Sequence, residues 1–393
     1  MSNNDFIIEN LVNDKGSLGT AQAVGAKQPK ITATGILKGD GSGNVSAAVA
    51  GTDYSDIMPG DLYLGVDLTE KFAAEIANYP NAQAWIKARE QAGNYAGIHV
   101  GDWLPLRANN VDFCAQIMGI DTYTGYGDTE IGHHIDWKLL ELWPTLKPIN
   151  PANYNNGLIP VENVTSDGTS VEYTLTKEMN EVASIKMNDV ALTGWSYAPE
   201  TYKIKFEEAP AAGTMVVTGT GTEYPWLACD AYHFANSLAG QVPNGTGLNP
   251  AVKHVDYTTD GIYYYLPQEW KDIIIQKRMF LPKRYSATGV LSNANAGGWA
   301  NIGYIWFPTE CEVCGQGVFA NTAYDMAGSA LQYPLFAGNM NRAKRRSGSR
   351  SMWWLSSASS GGASIWCILS SNGNISNSGP ATNGVALPVC FRT

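Results

Sequence analysis

The stretch Ser351-Met-Trp-Trp-Leu-Ser-Ser-Ala-Ser-Ser-Gly-Gly-Ala-Ser-Ile-Trp-Cys-Ile-Leu369 decides the fold of the C-terminal part of this chain. Its large apolar residues form two clusters, Trp353-Trp-Leu355 and Ile365-Trp-Cys-Ile-Leu369, with the length and composition of buried β-strands. The intervening Ser356-Ser-Ala-Ser-Ser-Gly-Gly-Ala-Ser364 has no side chain large enough to fill a core. Small polar residues in such a loop are typical of adaptable recognition surfaces. The stretch therefore predicts a buried sheet with an exposed loop.

Charge is distributed unevenly around this stretch. No charged residue occurs from Ser351 to Phe391, although 16% of the whole chain is charged. Directly before it, Arg342-Ala-Lys-Arg-Arg-Ser-Gly-Ser-Arg350 has five basic residues in nine. The basic run could steer the protein toward an anionic surface, or it could be a solvated loop.

The composition of the whole chain excludes several functional classes. With 393 residues, 44% of them hydrophobic, the chain is long enough for two or three domains. A net charge of −10 argues against general nucleic-acid binding. No apolar run approaches the roughly 18 residues of a membrane-spanning helix, and the polar, acidic N-terminus has no features of a secretory signal. The six cysteines are too few for a disulfide scaffold, and we expect buried free thiols.

Composition and periodicity divide the chain into four parts. Residues 1–57 are rich in small side chains and read as an extended N-terminal segment. Residues 58–157 and 225–393 read as two parts of one domain. Residues 158–224 contain four short alternating strands, Val171–Leu175, Ala183–Met187, Tyr202–Phe206 and Thr214–Thr218, and read as an inserted β-sandwich of immunoglobulin-like kind.

Apolar spacing predicts the other elements of the large domain. Helices are expected over Leu62–Tyr95, interrupted by Pro80, over Leu227–Leu238 and over Pro267–Phe280. The stripe of Trp270, Ile273, Ile274 and Lys277 in the last of these reads as core. Strands are expected at Gly101–Leu106, Phe113–Ile120, Tyr304–Phe307, Trp353–Leu355, Ile365–Leu369 and Gly384–Phe391.

The N-terminal segment resembles a known type of linker. Gly35-Ile-Leu-Lys-Gly-Asp-Gly-Ser-Gly-Asn-Val-Ser-Ala-Ala-Val-Ala-Gly-Thr-Asp-Tyr54 is similar to the segment that precedes the receptor-binding tip in many bacteriophage tail fibres. That resemblance implies a homotrimer that contacts other tail proteins. It also implies a location at the tail-fibre tip of a virion assembled in the bacterial cytoplasm.

A second resemblance concerns the C-terminal half. The order Trp353-Trp-Leu-Ser-Ser, Trp366-Cys-Ile-Leu-Ser-Ser-Asn-Gly373 and Asn383-Gly-Val-Ala-Leu-Pro-Val-Cys390 resembles the C-type-lectin-fold variable proteins of diversity-generating retroelements. The upstream segments Gly101-Asp-Trp103 and Trp306-Phe-Pro-Thr-Glu310 fit the same family. The resemblance implies an α+β fold: a C-type-lectin-like (formylglycine-generating-enzyme-like) domain with the small immunoglobulin-like β-sandwich inserted. It also implies a variable ligand-binding region at about 341–392, rewritten by error-prone reverse transcription.

The resemblance assigns two sets of residues. Scaffold positions are Trp353, Trp354, Leu355, Gly373, Gly384, Val385 and Pro388. Positions expected to vary and to contact a ligand are Ser351, Met352, Ser356, Ala358, Ser359, Ser360, Ser364, Ile365, Trp366 and Ile368. An exposed Trp366 or Ile365 would be a contact anchor. On this basis, Met352→Ala or Trp366→Ala is expected to abolish receptor binding and to leave the melting temperature nearly unchanged.

Other functions remain open at this point. A formylglycine-generating type of oxidase would use Cys367 and Cys390, which both fall within apolar strand patterns and read as buried thiols. A glycan-degrading tailspike would need two carboxylates, for which Asp121, Asp128 and Glu130 are the candidates. A tailspike that binds glycans with fixed specificity is a further alternative.

Metal binding is the last alternative. His133-His134-Ile-Asp136 could bind a metal only with partners from elsewhere in the chain. We therefore expect no bound metal. Taken together, the sequence features favour a binding protein with no cofactor, no nucleic-acid partner and no enzymatic activity. The expected partner is a bacterial cell-surface receptor, either protein or glycan.

Overall fold

The computed structural model describes residues 37–39, 45–47, 65–177, 179, 181–246, 250–283, 297–320, 331–362 and 364–393. The described part of the protein is mostly β: 39% of its residues lie in strands, arranged in many small sheets, and 16% are helical, in short helices. The expected α+β fold, a C-type-lectin-like domain with an inserted immunoglobulin-like sandwich, is therefore wrong. The reason is that the expected long helices are short or absent.

The described residues contain nine α-helices, one 3-10 helix at Pro334–Phe336 and twenty-four strands. The helices are α1 Leu68–Lys71, α2 Ala73–Ile76, α3 Ala82–Gln91, α4 Pro225–Ala228, α5 Asp230–Asn236, α6 Ile262–Tyr265, α7 Gln268–Lys271, α8 Glu310–Cys314 and α9 Asn339–Arg342. The first twelve strands are β1 Leu37–Gly39, β2 Val45–Ala47, β3 Trp103–Ala108, β4 Val111–Ile120, β5 Ile135–Leu139, β6 Trp143–Lys147, β7 Val161–Ser166, β8 Glu172–Thr174, β9 Val182–Met187, β10 Val190–Ala191, β11 Trp195–Ala198 and β12 Lys203–Phe206. The others are β13 Gly213–Gly219, β14 Ala239–Pro243, β15 Val252–Asp256, β16 Arg278–Pro282, β17 Gly297–Asn301, β18 Lys344–Arg346, β19 Ser349–Ser351, β20 Trp353–Ala358, β21 Ile365–Leu369, β22 Ile375–Pro380, β23 Val385–Leu387 and β24 Cys390–Arg392.

Two of the expected helices are interrupted by backbone pairing. The segment expected as Pro267–Phe280 is helical only in α7, because Ile275 then donates its N–H to the carbonyl of Arg392 at 2.8 Å. Lys277 likewise exchanges backbone hydrogen bonds with the segment at Ile302 and Gly303. The helix expected over Leu227–Leu238 is split at Cys229, whose backbone is extended. The strand expected at Tyr304–Phe307 is only an isolated bridge between Trp306 and Cys390.

The chain divides into two units, Met1–Asp56 and Ile57–Thr393. In the first unit, β1 and β2 form an antiparallel hairpin, with Leu37 opposite Ala47. Most of the segment expected to trimerise lies outside the described residues.

Two sheets of the second unit join its beginning to its end. A four-stranded sheet has the order β24-β5-β4-β3, and a five-stranded sheet has the order β22-β21-β20-β23-β6. Strands β5 and β6 precede residue 158, whereas their partners β24 and β23 are close to the C-terminus. The segments on either side of 158–224 therefore fold together.

Residues 161–219 form two facing sheets with a core of their own. The sheets have the orders β10-β9-β13-β7 and β11-β12-β8, and the four strands expected here are present. Asn188 and Asp189 have φ of 51° and 64° and form the two-residue turn between β9 and β10, a conformation that Asn and Asp tolerate. The ten buried residues between the sheets include Met179, Ile204 and Met215.

The main core is built from tryptophan. Nine of the twelve tryptophans are fully buried, and they are Trp85, Trp137, Trp143, Trp226, Trp270, Trp306, Trp353, Trp354 and Trp366. Trp137 contacts Trp270 edge to face, with ring centroids 5.4 Å apart, a favourable arrangement for aromatic rings. The abundance of tryptophan therefore reflects the core more than the surface.

Candidate ligand-binding surface

Strand β20 holds the framework of the candidate surface. Trp353 donates its indole N–H to the Arg342 carbonyl at 3.0 Å, and Trp354 donates to the Lys147 carbonyl at 2.8 Å. Both rings and Leu355 are fully buried. Each indole thus fixes β20 to a different segment, and the exposed residues beside the strand start from a rigid backbone.

The remaining scaffold positions differ in their surroundings. Val385 and Pro388 are buried, and Gly373 occupies a turn with φ of 86° that favours glycine. Gly384 is exposed, and a Cβ there would meet only Leu146 at 3.6 Å. The structure therefore shows no conformational or packing requirement for glycine at position 384.

The ten residues expected to contact a ligand fall into three groups by exposure. Met352 and Ser360 are exposed, and Ser351, Ser364 and Ile365 are half-buried. The five that are buried are Ser356, Ala358, Ser359, Trp366 and Ile368. A buried side chain makes no contact with a ligand at the surface, so the expectation of an exposed Trp366 is corrected.

A segment distant in sequence covers Trp366. The Trp366 indole N–H donates to the Tyr154 carbonyl at 3.3 Å. Beside it, the Asn155 amide donates to the carbonyls of Gly362 and Ile365 at 2.5 and 2.7 Å. The loop before β7 therefore packs over β21 and buries it.

The exposed part of the surface is a basic hairpin followed by a methionine. Strands β18 and β19 are joined by Ser347 and Gly348, and Arg345 lies directly opposite Arg350. Both arginines are exposed, and no ion pair involving either is found among the described residues. Like charges at directly opposed positions are destabilising. Met352 follows with 48% of its surface exposed. We call Arg345, Ser349, Arg350, Ser351 and Met352 the hairpin surface.

The buried member of the basic run has a different environment. Lys344 is buried, and desolvation together with nearby Lys138 holds its pKa well below the usual lysine range. Lys138 is also buried, and desolvation lowers its pKa to about 8. Its ammonium lies 5.6 Å from the Trp353 ring centroid. The basic run, for which the sequence left open a steering surface or a solvated loop, contains a hairpin with one buried and several accessible cations.

A second exposed position is held by a buried carboxylate. Ser360 donates both its N–H and its hydroxyl to the Phe319 carbonyl at 2.8 Å. The loop at Phe319 is fixed in turn by Glu310, which accepts the backbone N–H groups of Val318, Phe319 and Ala320 at 2.7 to 3.0 Å. The edge of the surface around Ser360 is thus ordered before any ligand binds.

The cysteines considered for oxidase chemistry are inaccessible. Cys367 and Cys390 are fully buried and free of disulfides. Burial raises the pKa of the Cys390 thiol to about 12 and that of Cys367 well above its usual value. A nucleophilic cysteine needs a lowered pKa and access to substrate, so these thiols have the properties of core residues.

Two of the candidate carboxylates, Asp121 and Asp128, and both histidines are occupied by structural contacts. Asp121 accepts from the Tyr95 hydroxyl at 3.1 Å and the His134 backbone N–H at 2.8 Å, and it lies 2.7 Å from His133 Nδ1. His134 Nε2 accepts from the Tyr123 N–H at 3.2 Å, and burial lowers the pKa of this histidine. No group of three or more His, Cys, Asp or Glu side chains in the described ranges is placed to hold a metal ion.

The structure also contains a buried ionic cluster that the sequence analysis missed. Arg392 donates Nε and Nη2 to the two carboxylate oxygens of Asp136, both at 2.7 Å. Tyr333 connects this pair to Lys277, accepting from the ammonium at 2.8 Å and donating to Asp136 at 3.0 Å. Lys277 is also paired with Glu312. Two sequence signals existed: a lysine within an apolar stripe, and a lone arginine after forty-one uncharged residues.

Comparison with known proteins finds no relative of this chain. No family model matches the chain, and no curated protein or solved structure matches it. The helices in the described part of the chain are all too short and polar to cross a membrane.

Proposed function

We propose that this chain is a receptor-binding protein of a bacteriophage tail fibre, which binds a bacterial cell-surface receptor and catalyses no reaction. The observation that supports this most strongly is the hairpin surface, where two exposed arginines on β18 and β19 and the exposed Met352 lie next to the anchored strand β20. Accessible cations and a large apolar side chain are typical contact residues at protein interfaces. The tail-fibre-like sequence at Gly35–Tyr54 supports the same proposal.

Binding at the hairpin surface would combine an electrostatic attraction with an apolar contact. The arginines attract an anionic surface over a distance of about one Debye length, roughly 8 Å at physiological salt. Met352 then excludes water from the contact, and its flexible side chain adapts to the shape of the partner. A homotrimer carrying three such surfaces would gain avidity without new contacts. Sedimentation of the full chain tests the trimer.

We further propose that a diversity-generating retroelement varies the accessible positions of the C-terminal region, some of which belong to the hairpin surface. The five accessible positions of the expected set, Ser351, Met352, Ser360, Ser364 and Ile365, are the ones that can change without opening a core cavity. Substitution at the buried positions would cost stability, so variation there is expected to be restricted to small residues.

Adsorption of the full chain to bacterial cells tests the function. Fluorescently labelled protein is mixed with a panel of strains that includes the host of the phage, and bound protein is counted per cell. Met352→Asp is expected to reduce binding at least tenfold, because a carboxylate replaces the apolar contact. Val190→Asp is the matched control, because Val190 is 66% exposed on β10 in the small sandwich. Equal binding by the two variants would contradict the assignment of the hairpin surface, and no binding to any host strain would contradict the function.

A further inference from the structure

A pocket lies away from the hairpin surface and shares no residue with it. It is bounded by the loop between β4 and β5, by Arg278 at the start of β16, by Trp299 on β17 and by Arg392 on β24, and its volume is 190 Å³. Pockets that enclose drug-sized ligands measure about 300–1,000 Å³. This one is therefore sized for a single ring.

The floor of the pocket offers a hydrogen-bond donor without a net charge. Arg392 is only 2% exposed, and its Nε and Nη2 are both used by Asp136. Its Nη1 makes no hydrogen bond with any described residue, while Arg392 lines the pocket. Because Asp136 balances the guanidinium charge, the remaining N–H groups suit a neutral oxygen acceptor. A hydroxyl or ring oxygen would satisfy them.

The walls of the pocket are aromatic. Trp299 packs edge to face on Phe280 with ring centroids 5.8 Å apart. Its other neighbour is Gly127, where a Cβ would lie 3.6 Å from Cη2 of the indole and where φ is 116°. The positive φ favours glycine here, and the loop passes within van der Waals distance of the indole. Tyr126 stands at the opening, 48% exposed.

The rim of the pocket is polar and acidic. Asp128 forms a bidentate ion pair with Arg278, whose hydrogen bonds lower the pKa of the carboxyl. Glu130 and Thr129 are exposed beside it. Arg278 balances the charge of Asp128, so the carboxylate of Glu130 leaves the rim with an excess of negative charge that disfavours an anion. Both carboxylates accept hydrogen bonds from hydroxyl groups. The rim therefore selects against phosphate, sulfate and acidic sugars.

We propose that this pocket binds one neutral sugar ring of a cell-surface glycan. A pyranose has an apolar C–H face, which fits the rings of Trp299 and Tyr126. Its hydroxyl groups both donate and accept, which matches the carboxylates of Asp128 and Glu130 at the rim and the Arg392 N–H groups at the floor. That the sugar belongs to a cell surface rests on the proposed function, but the pocket shares no residue with the hairpin surface, so each site can fail without the other.

Ligand-observed NMR on the full chain tests the pocket. Glucose, galactose, mannose and N-acetylglucosamine are tested separately, with glucuronate and inorganic phosphate as anionic probes. We expect at least one neutral sugar to bind with a Kd of about 1 mM, a free energy of roughly −4 kcal/mol, and the anions not to bind. Absence of binding by every neutral sugar, or preference for an anion, would overturn the proposal.

Matched variants locate the bound sugar. Trp299→Ala is expected to lower affinity at least tenfold, whereas Trp195→Ala, a half-buried tryptophan in the small sandwich, is expected to leave it unchanged. Glu130→Gln keeps the shape of an exposed side chain and is expected to weaken binding severalfold, with Glu208→Gln in the sandwich as its control. If Trp299→Ala and Glu130→Gln both bind the sugar as tightly as the wild type does, the sugar binds elsewhere and the proposal for this pocket is refuted. If Trp299→Ala does not fold, the affinity of Glu130→Gln alone decides whether the sugar binds in the pocket.

Discussion

Replacing Trp366 separates a core role from a contact role. The side chain is fully buried, and its indole N–H is bonded to the Tyr154 carbonyl. Truncating a buried tryptophan removes its transfer free energy and leaves a cavity, at a total cost of about 3–5 kcal/mol. We therefore expect Trp366→Ala to lower the free energy of unfolding by that amount. Met352→Ala, at a position 48% exposed, is expected to change it by less than about 0.5 kcal/mol.

Urea unfolding followed by far-UV circular dichroism measures both values. Trp366→Phe is the intermediate control. It keeps an aromatic ring in the cavity and loses only part of the side-chain volume, but it loses the whole hydrogen bond to Tyr154. The reasoning is refuted if Trp366→Ala unfolds within about 1 kcal/mol of wild type. That result would return Trp366 to the surface, as the sequence analysis expected.

Three further predictions concern the buried charges and thiols. Lys277→Met leaves Glu312 without its cation and is expected to lower the free energy of unfolding by about 3–5 kcal/mol. The double variant Lys277→Met/Glu312→Gln is expected to unfold at a higher urea concentration than Lys277→Met alone. Strict additivity of the two changes in unfolding free energy would contradict the pairing. Burial lowers the pKa of Lys138 from 10.5 to about 8 and that of Lys344 well below its usual value. The unfolded chain therefore binds more protons between pH 8 and 10.5, and the free energy of unfolding should rise over that range. Lys138→Met should reduce the slope of the rise without removing it, because Lys344 also contributes, and an unchanged slope would contradict a contribution from Lys138. Cys390, with its pKa raised to about 12 by burial, should resist iodoacetamide at pH 8 in the native state and react after unfolding, and rapid native labelling seen by mass spectrometry would contradict its burial.

Local signals in the sequence predicted much of the β-structure. The strand at Ile365–Leu369 begins and ends where its apolar run does, and the four strands expected within 158–224 are present, because alternation and turn residues act over a few positions. The paired strands expected near Gly101–Leu106 and Phe113–Ile120 are β3 and β4. Short-range patterns therefore indicated where most strands form, although the strand expected at Trp353–Leu355 continues to Ala358 and the one expected at Gly384–Phe391 is divided into β23 and β24.

Contacts between residues far apart in the sequence explain why the expected helix lengths and the expected exposure of Trp366 were wrong. The apolar stripe around Trp270 and Ile274 is core as expected, but the helix ends after Lys271 because Ile275 bonds to a residue more than one hundred positions later. Trp366 is buried by Tyr154, which is 212 positions away. No local pattern reports such contacts, so helix length and the exposure of large residues near β21 could not be read from the sequence.

The candidate sites were predicted unevenly for the same reason. Met352 was identified correctly as exposed, because it stands between a polar strand and the buried tryptophan pair. The pocket at Trp299 was missed, because its walls come from four separate segments. The sequence pattern indicated Asp128 and Glu130 only as candidate catalytic carboxylates together with Asp121, and the aromatic rings and Arg392 beside them become apparent only in three dimensions.

Sequencing the gene and the few kilobases after its 3′ end tests most directly the claim that the accessible C-terminal positions contact the receptor and change with it. The account predicts a near-copy of the codons for about 341–392 that differs from them almost solely at adenines, beside a reverse transcriptase gene. The differing codons should include those of Met352, Ser360 and Ile365 and should spare Trp353 and Trp366. No such copy, or differences concentrated at the buried tryptophans, would contradict the claim.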